Sequence, residues 1–542
     1  MKNIRVSKTF WLMLFIVALG IVLRLIFIDK PDGLWNDEYV SWFVASFPLG
    51  KEFVNAIAAQ CHMPFYYLYL KFFIHFYGNS DLMLRLTSVL PGVLSIFVMY
   101  FVGKEMGDEE TGEKLGILCA ALTALSSFNI YFSQEVRFYA ILFLFSALSL
   151  LFTIKLEKKQ NLLNLLCYMI SNFLIIFTHT IGFLFVLFNL IFLSFWILKN
   201  DDKHKKTIYV TWSVLLFLTL LDVPLLFKIL TTHQNSQWWG SFCFSKIGFL
   251  FTDYFSPILT NIVSAPDSFF YDFTLKFIIF ALAPSIIAII GIVKALLARK
   301  YEINGLFFVA FAFIITLVLA AISGKLVFIT KYSIEIYPIL LLIMCFGLLE
   351  FKKGWRYFLI FAFCFLNLFY VLTNPNSAPR LHRSEGHKIA ANLIKNANLK
   401  KDDIILFNYY AQDRFGKYFD FSPYRVISVN KVNFADFLGV TSKDDFKKID
   451  NKFFNAKFKK EITDKLLPNQ QLAVVILNDV STYSPTEMQF LFNNDKEYQK
   501  APFLFLVFSY LKNKELDEAL KSLKILRIEQ KGSWTVVTFQ KQ

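Results

Sequence analysis

Polar and apolar positions along this chain fall in long blocks, not in the short periods of a water-soluble fold. Eleven mostly apolar runs lie at 9–28, 82–103, 114–132, 138–155, 161–178, 181–198, 208–230, 273–295, 304–323, 333–350 and 355–373. Each is close to the ~20 residues a helix needs to cross the hydrocarbon core of a bilayer. The pattern predicts a polytopic helical membrane protein. With the N-terminus in the cytoplasm, the inward loops carry Lys104 and Lys114, then Lys155, Lys158 and Lys159, then Lys199, Lys203, Lys205 and Lys206, then Lys294, Arg299 and Lys300, then Lys352, Lys353 and Arg356. Every inward loop is basic, as the bias that orients membrane proteins requires. The outward segments are then 29–81, short turns at 133–137, 179–180 and 324–332, a long loop at 231–272, and everything after about residue 374.

After residue 374 the pattern changes. "EGHKIAANLIKNANLKKDDIILFNYY" reads as an amphipathic helix followed by a strand, "YRVISVN" and "QLAVVILN" as strands, and "LKILRIEQKGSWTVVTFQ" as a terminal hairpin. These predict a small extracytoplasmic α/β domain over 375–542, beside a transmembrane domain over 1–374. "FLFLVFSYL" (503–511) is too short to span and reads as a buried helix. There is no internal repeat and no low-complexity linker.

Composition agrees with the pattern. Of 542 residues, 56% are hydrophobic and 18% charged, with 65 Phe, and the mean hydropathy is +0.50. That excludes both an ordinary soluble domain and a disordered chain. The net charge of +15 is explained by loop bias, so no nucleic-acid partner is expected. The first run follows Lys2, Arg5 and Lys8 but lacks a small-residue cleavage site, so it reads as a retained span. The six cysteines form no metal-ligand or CxxC spacing. Cys119, Cys167, Cys345 and Cys364 sit in apolar runs as packing residues. Cys61 and Cys243 fall in loops on the same predicted side, where two cysteines are more often unpaired than bridged.

The topology gathers the out-of-place polar residues on one face. Asp37 and Glu38 in "GLWNDEYVSW", His62 in "CHMPFYYLYL", Glu135 and Arg137 in "SQEVRFYA", His179 in "FTHTIGF", and Lys325 and Lys331 in "GKLVFITKYSIEIYP" are all predicted outside. Ionisable groups at membrane depth are costly and usually functional. Carboxylates, cations and histidines at one water–lipid boundary suit a reaction on a lipid-linked phosphate, with a carboxylate as base and cations steadying the departing phosphate. Each residue also has a plain role open to it. Asn36 or Asp37 could cap a helix "EYVSWFVASF" lying on the membrane. Glu135 and Arg137 could be a turn pair, the histidines packing groups, the two lysines interfacial anchors, and Arg24 a snorkelling end of the first span.

Four stretches carry a resemblance: "LWNDEYVSW", "HMPFYYLYLKFFIHFYGNSDLMLRLTSVLPGVLSI" (62–96), "LTALSSFNIYFSQEVRFYAILFLFSALSL" (122–150) and "KLVFITKYSIEIYPILLLI" (325–343). Together they resemble the bacterial family-39-like glycosyltransferases of the RgtA/B/C/D type, in the GT-C superfamily with the protein O-mannosyltransferases and the aminoarabinose transferase of lipid A. The likeness covers roughly residues 10–350. It implies a membrane enzyme that moves a sugar, with inversion, from a polyprenyl-phosphate donor to a lipid, glycan or protein acceptor on the extracytoplasmic face of the plasma membrane. Asp37 and Glu38 match the family's acidic pair, which implies Asp37 as the catalytic base and Glu38 as a second carboxylate that orients it or holds a divalent cation such as Mg or Mn, with His62 as a further ligand. Glu135 and Arg137 match its Glu-x-Arg, and Arg137, Lys325 and Lys331 become donor-phosphate ligands. Glu135, His62, His179, Tyr139 and Tyr332 become supporting or substrate-binding residues. The chain departs from the pattern at Met63, where His-Pro-Pro is common, and at Lys331, where Arg-Tyr is usual; a lysine keeps the charge but not the bidentate geometry. On the residues alone, a transporter or flippase for an amphipathic glycolipid remains the alternative, and a membrane scaffold whose tail is the working part is a third reading.

Overall fold

The computed structural model describes residues 8–29, 33–200, 205–232, 250, 252–256, 279, 282–298, 300–323, 330–373, 386–407, 415–427, 466–477, 523–531 and 534–541. Cys243, Lys325 and the run 503–511 lie outside them. The chain divides into two units, residues 1–29 with 37–381 and residues 30–36 with 382–542.

The first unit is helical, and the described residues of the eleven apolar runs fall mainly on helices: α1 (Lys8–Leu25), α5 (Asp81–Met106), α6 (Gly112–Leu125) with the short α7 (Ser127–Phe132), α8 (Tyr139–Lys158), α9 (Leu162–Ile176), α10 (Gly182–Asn200), α11 (Lys205–Thr232), α12 (Ala283–Leu297), α13 (Tyr301–Ile322), α14 (Tyr337–Leu349) and α15 (Lys353–Thr373). A 3-10 turn, Thr330–Ile336, leads into α14. Among the described residues, six helical segments are long and apolar enough to cross a membrane, which makes the protein multi-pass. Starts are set by local chemistry. Ser80 caps α5 by accepting from Met83 N, Asn161 caps α9 by accepting from Asn164 N, and prolines open α12 and α14. The long first loop folds into α2 (Asn36–Ser46), α3 (Lys51–Ala59) and α4 (Phe65–Tyr77).

Lipid offers no hydrophobic drive between helices, so small residues and polar glue hold them. A Cβ on Gly347 of α14 would lie 1.8 Å from the Gly291 carbonyl of α12, so the two helices meet backbone to backbone. Ser149 and Thr153 of α8, Asn172 of α9 and Asn189 of α10 form one buried hydrogen-bonded cluster that ties three helices together.

Two expectations need correction. The run 114–132 is not one span: it breaks at Ser126, whose side chain caps α7 by accepting from Asn129 N. The break leaves the Thr123 and Ala124 carbonyls without intrahelical partners, and Arg24 supplies them, donating to both at 3.1 and 3.2 Å. Arg24 therefore does not snorkel. It is fully buried in the bundle and also bonds Gly20 O and Ser133 Oγ. Nor is 133–137 a surface turn. Residues 127–138 are buried throughout, and irregular backbone at membrane depth is tolerated only when protein surrounds it.

The second unit has the α/β composition expected. Helix α16 (His387–Asn396) packs on a five-stranded sheet of β1 (Ile404–Phe407), β2 (Arg425–Ile427), β3 (Gln471–Leu477), β4 (Leu523–Lys531) and β5 (Trp534–Lys541), in the order β2-β1-β3-β5-β4. β1 pairs in parallel with β2 and β3, and β5 pairs antiparallel with β3 and β4. Ile394, Ile405, Phe415, Val475 and Trp534 fill its core.

Candidate active site

Helix α2 presents Asp37 and Glu38 in its first turn. Its far end is fixed by Lys71 of α4, which donates to the carbonyls of Ala45 and Phe47 at 3.1 and 2.6 Å. The two adjacent carboxylates diverge. Glu38 is fully buried and held bidentately by Arg85 of α5, with Nε–Oε1 2.8 Å and Nη2–Oε2 2.7 Å. It also accepts from Val136 N at 3.2 Å, while Arg85 donates to Ile28 O. Glu38 thereby ties the end of the first span, α2, α5 and the buried 133–137 segment at one point.

Asp37 faces the other way and keeps 22% of its side chain exposed. Its Oδ2 lies 3.2 Å from Lys331 Nζ on the 3-10 turn and 4.0 Å from Arg137 Nη2. Arg137 Nη1 donates to the Asp37 carbonyl and to Ser41 Oγ, one turn along α2. Arg137 is thus paired with Asp37 through its side chain, and its contact with Glu135 is the backbone bond from Arg137 N to Glu135 O. The Asp37 carboxylate is the opposite charge that the buried Arg137 guanidinium faces. Glu135 is buried, with its carbonyl accepting from Ser88 of α5.

Aromatic rings wall this cluster. Arg137 lies over Phe138 at 5.2 Å, and Lys331 over Tyr139 and Tyr332 at 5.7 and 5.6 Å. Phe138 also touches both histidines, each at 5.1 Å. His62 Nδ1 meets Tyr67 Oη at 2.5 Å, and burial together with Arg137 pushes the His62 pKa well down, so the ring is neutral. His179 Nδ1 meets Glu335 Oε1 at 2.7 Å. Three buried polar atoms here find no hydrogen-bond partner among the described residues: Tyr66 Oη, Arg137 Nε and Glu335 Oε2. Buried polar groups are ordinarily paired, so such a set marks a place for a polar ligand.

The structure therefore brings Asp37, Arg137, Lys331, Tyr139, Tyr332, His62 and His179 together, with Glu38 and Glu135 behind them. Arg85, Ser41 and Glu335 escaped the sequence reading. Arg85 and Glu335 did leave a signal, a charge set just inside an apolar run, within the quoted stretches "DLMLRLTSV" and "KYSIEIYP". The donors proposed for a divalent cation do not fit one. Both Glu38 oxygens are engaged by Arg85, His62 Nδ1 by Tyr67, and among the described residues no three His, Cys, Asp or Glu side chains converge. Cys61 carries a free thiol.

No protein-family model matches the sequence, and no curated protein sequence matches it. The fold does have solved counterparts. ArnT from Cupriavidus metallidurans in the apo state superposes with a TM-score of 0.51 over 98% of both chains at 11% identity. The same enzyme bound to undecaprenyl phosphate gives 0.51 over 98% of both chains at 12% identity. The chain shares the fold of this membrane protein along nearly its whole length.

Proposed function

We propose that this protein is an inverting glycosyltransferase that takes a sugar from a polyprenyl-phosphate donor and places it on an acceptor of the cell envelope, at the extracytoplasmic face of the plasma membrane. The observation that carries the reading is the placement of Asp37: a partly exposed carboxylate between two cations, next to a partner carboxylate that is fully locked away. Its fold is shared with an enzyme solved with undecaprenyl phosphate bound, which favours a lipid-phosphate ligand here and transfer over the translocation of a flippase.

In this reading Arg137 and Lys331 hold the donor phosphate, drawing away from Asp37 as the anion arrives and leaving Oδ2 to accept the proton of an acceptor hydroxyl. That oxygen attacks the anomeric carbon from the side opposite the phosphate, the sugar–phosphate bond breaks, and polyprenyl phosphate leaves with its charge matched by the two cations. One displacement inverts the anomeric centre. Glu38 acts through structure, fixing the start of α2. The test is mass spectrometry of envelope glycans, lipids and glycoproteins from a deletion strain. Loss of one sugar from one acceptor is expected and identifies both substrates; an unchanged envelope overturns the reading.

A further inference from the structure

Glu335 is fully buried, and its two carboxylate oxygens stand in different situations. Oε1 is held by His179 Nδ1 at 2.7 Å, while Oε2 has no partner among the described residues. A buried acceptor left unmet costs the full desolvation of the group, so Oε2 gains from any donor brought to it. Its position narrows the choice. Glu335 follows Lys331 by four residues on the same 3-10 turn. Its partner His179 packs on Phe138 at 5.1 Å and on Tyr332 at 6.1 Å, the rings that wall Arg137 and Lys331. A carboxylate repels phosphate, so Oε2 does not serve the anion held by its neighbours. The group joined directly to that phosphate is the sugar.

We propose that Glu335 is a specificity-determining residue: its Oε2 accepts a hydrogen bond from one hydroxyl or amino group of the sugar being transferred. His179 is the positioning residue that fixes the carboxylate by holding Oε1. The proposal rests on the glycosyltransferase reading above. A site built to bond a substrate hydroxyl rejects the analogue lacking it, because the buried partner is then left unpaired.

The test is a cycle between enzyme and substrate. Purified full-length protein in proteoliposomes is given undecaprenyl-phosphate-linked glucose, mannose, galactose, arabinose and 4-aminoarabinose, and then the monodeoxy and deamino analogues of the sugar it uses. Wild type should lose about 10- to 100-fold in kcat/KM with one analogue and little with the others. Glu335→Gln should lose a similar factor with the full sugar, and show almost no further loss with that one analogue. His179→Asn should lose less, and mainly in KM. A flat analogue series with wild type overturns the proposal without needing any variant to fold. So does Glu335→Gln at the wild-type rate, or equal analogue losses in both enzymes. Failure of wild type to use any of the five donors is a different result: it overturns the reading on which the proposal stands.

Discussion

Two neighbouring carboxylates with opposite environments make the sharpest residue-scale contrast in the molecule. Asp37→Asn keeps size and polarity at the start of α2 but cannot take a proton; transfer from a polyprenyl-phosphate donor should fall ~10²–10⁴-fold at unchanged protein level in the membrane. Arg137→Ala should cost ~10²–10³-fold, the usual loss of one charge-stabilising donor, and Arg137→Lys should restore part of it. Wild-type rates in Asp37→Asn would remove the base; wild-type rates in Arg137→Ala would reduce that residue to a structural tie. The Glu38–Arg85 pair predicts something else. Arg85→Met strands a buried carboxylate and should destabilise by ~3–5 kcal/mol, while adding Glu38→Leu should recover most of that, read as thermal unfolding in detergent. If the double variant is no more stable than the single one, the pair is not the isolated tie described here. That adjacent carboxylates at a helix start diverge was legible from the sequence. The choice of Asp37 over Glu38 as the base comes from the family resemblance and not from spacing, because which one faces the cluster depends on Arg85, 47 residues along the chain from Glu38, and on Lys331, 294 residues from Asp37. Spacing in the chain says nothing about partners that far apart.

At the scale of elements, the apolar blocks located the helices because lipid leaves the backbone no other solution. The break at Ser126 was hidden for the same reason: the residues around it are as apolar as a span, and only the partners of the freed carbonyls reveal it. Arg24 is that partner, and Gly92 makes room for the arrangement, since a Cβ there would lie 2.1 Å from Ser133 Oγ. Gln134 Nε2 then donates to the carbonyls of Leu23, Arg24 and Ile26, fastening the loop to the end of α1. Three residues later in the chain comes Arg137. Arg24→Met should therefore do two things. It should destabilise the protein by ~1–3 kcal/mol for each carbonyl left unmet, and it should weaken use of the donor more than Gly347→Ala does, because the latter disturbs α12 and α14 rather than the segment carrying Arg137. Thermal unfolding and donor KM, measured on both variants, check this. Equal effects on KM at equal destabilisation would show that the 126–138 segment has no special coupling to the cation it presents.

The whole molecule raises the question of sides. The α/β tail was readable because its strands alternate over short periods and its helix is amphipathic, unlike anything before residue 374. Orientation is a separate inference, from charge: every loop assigned to the cytoplasm is basic, and that bias sets topology because lysine and arginine resist translocation. On that bias, eleven crossings would put both the acidic helix start at Asp37 and the C-terminal unit outside. The catalytic proposal depends on this, because a polyprenyl-phosphate sugar and an envelope acceptor must meet on the face where Asp37, Arg137 and Lys331 lie. A reporter that is active only in the cytoplasm, fused after Gln542, should be silent, and one active only outside should be bright. A second pair of fusions, placed after Lys158 in a basic loop, should give the reverse. If the cytoplasmic reporter is bright at Gln542 and silent at Lys158, the chain is inverted and the cluster faces the cytosol. If it is bright at both positions, the number of crossings between them is even rather than odd. One of the seven helices after Lys158 then enters the bilayer without crossing it, and the shorter apolar helices, Leu162–Ile176, Gly182–Leu198 and Ala283–Leu297, are the first to examine by further fusions.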